Sequence, residues 1–124
     1  MTDLDFYHSA EPVVILLEDG ITANFDNERR IAYVRARAQV WFRNEEWELT
    51  WEDFQAFWRT RKLWAQRGRH STDLVLTRMD WDISWNRDNC CIITRENSLK
   101  ANIALRWNKP ADKFFEGAIR YENL

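Results

Sequence analysis

Glycine occurs only three times in 124 residues, and cysteine, proline and histidine twice each. So few glycines leave no glycine-rich phosphate loop and no dinucleotide-binding fingerprint, which need several glycines at fixed spacing. The cysteines, Cys90 and Cys91, are neighbours in sequence, and a disulfide between adjacent residues is strained. They are therefore expected as reduced thiols on a strand. With no Cys-x-x-Cys and only His8 and His70, a zinc site is not expected. No apolar run approaches the ~20 residues of a membrane span. Residues 1–12, MTDLDFYHSAEP, are acidic and polar, unlike a secretory signal. These absences point to a cytoplasmic protein without a membrane partner.

What is present is aromatic and charged. Eight tryptophans stand in a chain that is 45% hydrophobic and 31% charged, and such residues dominate either a core or a contact surface. The length suits a single domain, residues 1–124. The net charge of −2 conceals a division. Residues 1–58 hold 5 Lys/Arg against 12 Asp/Glu, and residues 59–109 hold 11 against 5. A basic middle framed by acidic ends suits a surface facing a polyanion, though arginine-rich solvated helix faces would give the same balance.

Periodicity predicts an α+β fold. Val13 to Leu17, Glu18-Asp19-Gly20, and Ile21 to Phe25 read as a β-hairpin, because Asp-Gly is a strong two-residue turn signal. From Asn27 to about Arg43, Ile31, Val34, Ala38, Trp41 and Phe42 fall on one helical stripe, with a strand as the runner-up. This hairpin and helix make up an N-terminal portion, residues 1–46. Thr50-Trp51-Glu52-Asp53 has the capping residue and first-turn acids of a helix start, predicted to run to about Gln66. Its aromatics Trp51, Phe54, Phe57, Trp58 and Trp64 are expected to form core. After the basic connector RGRHS come a strand over Leu74 to Met79, a loop over Asp80 to Asn89, a strand over Cys90 to Thr94, and a helix from Arg95 to about Trp107. On that helix Leu99, Ile103 and Trp107 are expected to pack down, with Arg95, Ser98, Asn102 and Arg106 as a polar strip. The tail portion, residues 110–124, is expected to add a short helix within Ala111 to Tyr121.

Strand, loop, strand and basic helix is the layout of a ββα-metal nuclease finger. That chemistry needs a histidine closing the first strand to activate water, and hard oxygen ligands for one Mg²⁺-like ion. Leu74, Leu76, Arg78, Met79 and Asp80, then Asn89-Cys90 nine residues after Asp80, then Thr94-Arg95, resemble the core of the HNH (His-Me finger) endonuclease superfamily of phages and mobile elements. Trp85 stands where that pattern has tyrosine, and Trp51 to Phe57 looks like an upstream family segment. The resemblance spans roughly residues 47–102, within a helix-plus-ββα portion at 47–109. It implies a host cytoplasm if the chain is phage-encoded.

The departures fall on the chemistry. Thr77 replaces the natural metal-ligand aspartate, Arg78 takes the catalytic-histidine position, and Ile83 replaces a loop glycine. Arginine stays protonated near neutral pH, so Arg78 can clamp phosphate but is a poor base. The catalytic candidates are Arg78, Asp80 and His70, although Asp80 reads more readily as a turn-forming aspartate and His70 as an exposed loop residue. Candidate Mg²⁺ ligands are Asp80, Asn97 and Asn102, the two amides lying about 140° apart around their helix. Candidate nucleic-acid contacts are Arg67, Arg69, Arg87, Arg95, Lys100 and Arg106, and Asn89 is expected to pin the loop. The expectation is a DNA- or RNA-binding protein on an HNH-like scaffold whose metal-dependent cleavage is weak or lost. The alternative is a protein-interaction module that binds a host or viral protein through its acidic first half.

Overall fold

The structure, a computed structural model, describes residues 20–124. It is a small α+β domain. Helix α1 covers Gly20–Phe42, α2 Trp51–Phe57, α3 Arg61–Trp64 and α4 Arg95–Arg106. Strands β1, Leu74–Arg78, β2, Cys90–Thr94, and β3, Ile119–Arg120, form an antiparallel sheet in the order β1-β2-β3.

The N-terminal hairpin is not formed as expected. Its second arm, Ile21 to Phe25, is the first turn and a half of α1, and its first arm lies outside the described residues. Asp-Gly at 19–20 precedes a helix instead, because helical periodicity runs on upstream of Asn27. The strand alternative for residues 28–43 is likewise excluded. The buried side of α1 carries Arg29, Tyr33, Val34 and Val40, whereas Trp41 and Phe42 of the expected stripe are exposed. Arg29 belongs inside because its guanidinium donates to the Trp58 carbonyl at 2.9 Å, beside the carbonyl end of α2. It also pairs with Asp26.

Thr50 caps α2 through the Asp53 N–H, and the Asp53 carboxylate accepts from the Thr50 N–H, a reciprocal capping box with both bonds at 3.1 Å. The helix is shorter than expected. It stops after Phe57, and Thr60 recaps the single turn α3 through the Leu63 N–H. Phe54, Phe57 and Trp58 are buried, as the aromatic stripe implied.

β2 is the central strand and is buried on both faces. Cys90 and Ile92 join Tyr33, Val34, Leu49, Phe54, Phe57 and Trp58 on the α1–α2 side. Cys91 and Ile93 join Ala101, Ala111 and Phe115 on the α4 side. Alternation of side chains along a strand makes this division, so the unbroken apolar run CCII is what a two-sided strand requires. Ser98 and Ala101 are the buried residues of α4, and small side chains let the helix lie close to the sheet. Leu99, Ile103 and Trp107, expected to pack down, are instead 55%, 57% and 69% exposed. The tail forms 3-10 turns at Asp112–Phe115 and Tyr121–Asn123 around β3 rather than an α-helix. Among the described residues no helix is long and apolar enough to cross a membrane.

Candidate functional site

The loop between β1 and β2 is a braced structure. Asn89 accepts the Asp80 N–H at 3.0 Å and donates to the carbonyls of Asp80, Ile83 and Ser84 at 2.9, 3.3 and 3.1 Å. This is the pinning role expected of it. Asp80 forms a local turn, its Oδ1 accepting the Asp82 N–H at 2.9 Å. The loop is also tied to the segment before α2. The Glu48 N–H donates to the Trp85 carbonyl and the Trp85 N–H to the Glu46 carbonyl, both at 2.8 Å, and Trp47 stacks on Trp85 with centroids 5.9 Å apart.

Arg78 sits inside this construction, only 8% exposed. Its guanidinium donates to the carbonyls of Trp81 and Ile83 at 2.9 and 3.0 Å. It pairs with Glu45 at 3.1 Å and lies 5.2 Å from the centroid of Trp85. Strand register explains the orientation. Arg78 pairs with Cys90 and so faces the α1–α2 side, while Thr77 pairs with Cys91 and faces α4. Glu45 is the residue that sequence reasoning missed, an acid from the first half reaching the loop. Burial works to raise its pKa, but bonds from Arg43 and Trp85 and the charges of Arg78 and Arg43 together hold it below the ordinary 4.5. Its neighbour Arg43 pairs with it at 3.1 Å, but nothing local in the sequence points Glu45 to the loop, since Arg78 and Trp85 lie more than thirty residues away.

The other candidates scatter. His70 is in the connector at the Leu74 end of β1, where its N–H donates to Asp73 Oδ2 at 3.0 Å, so the five-residue strand separates it from Arg78 by ~13 Å. Asn97 is in the first turn of α4, at that same end, because the Arg95 N–H bonds the Asp73 carbonyl at 2.7 Å. Asn102 lies by the loop, but its Oδ1 accepts from the Trp81 indole at 3.2 Å. Asp80 and Asn102 each have an oxygen engaged and Asn97 is remote. Among the described residues no three His, Cys, Asp or Glu side chains converge as a metal cage. The described residues do not fit the ion that the nuclease resemblance implies.

What the fold does build is a groove. Helices α1 and α4 lie on opposite faces of the sheet, and β1 is the edge strand between them. A hollow of about 520 Å³ follows that edge, walled by Ala32, Ala36 and Gln39 of α1 and by Ser98, Leu99 and Asn102 of α4, with Leu74 to Leu76 as its floor. Arg67, Arg69 and Arg95 stand at one end. A second hollow of about 540 Å³ shares Asn102 and continues past Thr77, Arg78, Trp81 and Arg43. Arg67 is set by stacking its guanidinium 3.9 Å from the Trp64 centroid, and Arg95 by a 3.3 Å bond to the Gly68 carbonyl. A Cβ at Gly68 would lie 2.1 Å from Asp73 Oδ2, so a larger residue there must displace the Asp73 carboxylate.

Of the expected basic contacts, then, Arg67, Arg69 and Arg95 come together. Arg106 is exposed in the last turn of α4, and Lys100 is exposed and paired with Glu96 at 3.0 Å. Arg87 is elsewhere, over the Tyr121 ring and beside Glu48, Glu52, Asp53 and Asp88. No family model matches the chain, and no curated protein or solved structure is significantly similar to it.

Proposed function

We propose that the protein grips a nucleic-acid strand, DNA or RNA, in the α1–α4 groove and does not cut it. The observation that carries this reading is the grouping of Arg67, Arg69 and Arg95 at the groove end, drawn from the connector and from α4. Arginines held by stacking and backbone bonds present guanidiniums to phosphate at small entropic cost. The ββα order and the Arg78, Asp80, Asn89-Cys90, Thr94-Arg95 frame support descent from an HNH-like scaffold. On that scaffold Arg78 has become a structural brace, Asp80 a turn former and Asn102 an indole acceptor. Among the described residues no histidine stands beside Arg78 and no metal cage forms, which supports binding without a Mg²⁺-assisted step.

The test is binding of fluorescein-labelled 20-mers, single-stranded and duplex, followed by anisotropy across salt. Three neutralised phosphates give a slope of log K against log salt of about −2 for a single strand and about −2.7 for a duplex. Arg67→Ala with Arg69→Ala should flatten that slope by about two-thirds. Salt-insensitive binding, or binding unchanged in the double variant, would sink the reading; EDTA-sensitive nicking of a plasmid in Mg²⁺ would overturn the absence of cleavage. The exposed shoulder Leu99, Ile103 and Trp107 favours a second reading, a module that docks a host or viral protein. Absence of oligonucleotide binding at low salt would move the balance to it.

A further inference from the structure

The outer side of β1 is almost unspent. The Arg95 N–H bonds the Asp73 carbonyl and the Met79 N–H bonds the Asn89 carbonyl, so alternate residues Asp73, Val75, Thr77 and Met79 turn their backbone groups inward to β2. Leu74, Leu76 and Arg78 turn theirs outward. Among the described residues that side is engaged only at Leu74, whose N–H bonds the Gln66 carbonyl at 2.8 Å in an isolated parallel bridge with Arg67, so Leu76 and Arg78 are the open positions. An uncovered edge is a template for another strand. Here it floors the groove, with apolar Ala32, Ala36, Leu74, Leu76 and Leu99 around it.

The direction of α1 says what can reach that edge. Phe25 and Glu28, near the start of α1, contact Trp64, at the Arg67 end of the groove. Glu45, just beyond its end, meets Arg78. Helix α1 and strand β1 therefore run the same way, and Gly20 lies ~18 Å before Ala32 along the helix axis. Seven extended residues, 13–19, span ~23 Å, enough to double back from Gly20 to the level of Ala36. Those residues are VVILLED, and residues 1–19 hold five acids, Asp3, Asp5, Glu11, Glu18 and Asp19, with no Lys or Arg. An apolar β-branched run with acids on both sides complements an apolar groove with Arg67, Arg69 and Arg95 at its mouth.

We propose that Val13–Leu17 of the same chain docks in the α1–α4 groove as a strand antiparallel to β1, pairing with Leu76 and bringing Glu18 and Asp19 to the arginine end. The segment then shields the polyanion surface, so the chain carries its own competitor. This last consequence, unlike the docking, rests on the nucleic-acid reading.

A nitroxide placed by Gln39→Cys, an exposed position lining the groove, tests the docking in the full chain. The amide resonances of residues 13–17 should broaden, and Val14→Asp with Leu16→Asp should abolish the broadening. The Leu76 amide should exchange with solvent at least tenfold faster in that double variant. Unbroadened resonances, or Leu76 exchange unaffected by the double variant, overturn the proposal. Broadening seen only between nitroxide-bearing and isotope-labelled copies in a mixture also overturns it, and assigns the groove to a second copy. A separate titration with the labelled single-stranded 20-mer reads the consequence. If the segment is docked nine-tenths of the time, the double variant binds about tenfold tighter. Docking with no oligonucleotide binding by either form supports the strand and refutes the nucleic-acid function.

Discussion

Replacing Arg78 separates a brace from a phosphate clamp. Arg78→Ala removes two charged hydrogen bonds to the Trp81 and Ile83 carbonyls and the ion pair with Glu45. Charged bonds contribute ~1.5–3 kcal/mol each. The Glu45 side chain is 25% exposed and keeps Arg43 and Trp85, so its pair is discounted to ~0.5–1 kcal/mol. Against these stands the ~2 kcal/mol of side-chain entropy released on truncating an ordered arginine. The net loss is about 3 kcal/mol. With a urea slope of ~1.5 kcal/mol/M, the midpoint should fall by about 2 M at unchanged slope. Arg78→Lys keeps the charge but not the two-carbonyl fork, and should lose roughly half as much. A double-mutant cycle with Glu45→Gln should show at least ~0.5 kcal/mol of coupling. The sign with pH follows from Glu45, whose folded pKa lies below its ordinary 4.5. Its contribution is present above that ordinary value and is lost as pH falls through the folded value, so the coupling disappears on acidification. An Arg78→Ala protein within ~0.5 kcal/mol of wild type that had lost oligonucleotide binding would refute the brace and restore the clamp.

Burial pushes the Cys90 thiol up to about 12 and the Cys91 thiol up to about 11. Both should resist an aromatic disulfide reagent at pH 8 in the folded chain and react at the rate of unfolding. Their neutral state stabilises fully below pH 9, and that contribution is lost at higher pH as the unfolded chain ionises, which urea titrations at pH 8 and 10 would register. Gly68→Ala forces the Asp73 carboxylate off its bond to the His70 N–H, and should cost about 1–2 kcal/mol, or a Tm lower by about 5 °C in calorimetry. Thr50→Ala removes half of the capping box and should cost about 1 kcal/mol by urea titration.

The parts of the fold legible in the sequence are those with local physical causes. The Thr50 cap and the pinning by Asn89 each depend on residues within about ten positions of one another. The misreadings have the opposite character. Leu99, Ile103 and Trp107 form an apolar stripe by periodicity, but the sheet takes the face with Ser98 and Ala101 because a close approach needs small side chains more than apolar ones. Arg29 looks like a surface cation and is buried, because its guanidinium reaches the Trp58 carbonyl across the interface with α2. The break after Phe57 had a signal, Thr60, that the continuing run of aromatics outweighed.

The order strand, loop, strand, helix around the candidate site was legible in the sequence, but the direction that Arg78 takes was not. A cation at the end of β1 can face solvent and phosphate or turn inward to an acid and two carbonyls, and sequence spacing is the same in both cases. The choice depends on which face strand parity assigns it and on what stands there. Parity places Arg78 with Cys90 on the α1–α2 side, and the turn after α1 places Glu45 within 3.1 Å. Arg78 is turned to a carboxylate that Arg43 shares, and the other arginines of the groove, Arg67, Arg69 and Arg95, stand at its far end. The charge at the end of β1 is thus turned inward, and those three arginines stand a strand's length away from the loop. On the proposed nucleic-acid reading, that separation favours gripping a strand over cutting it.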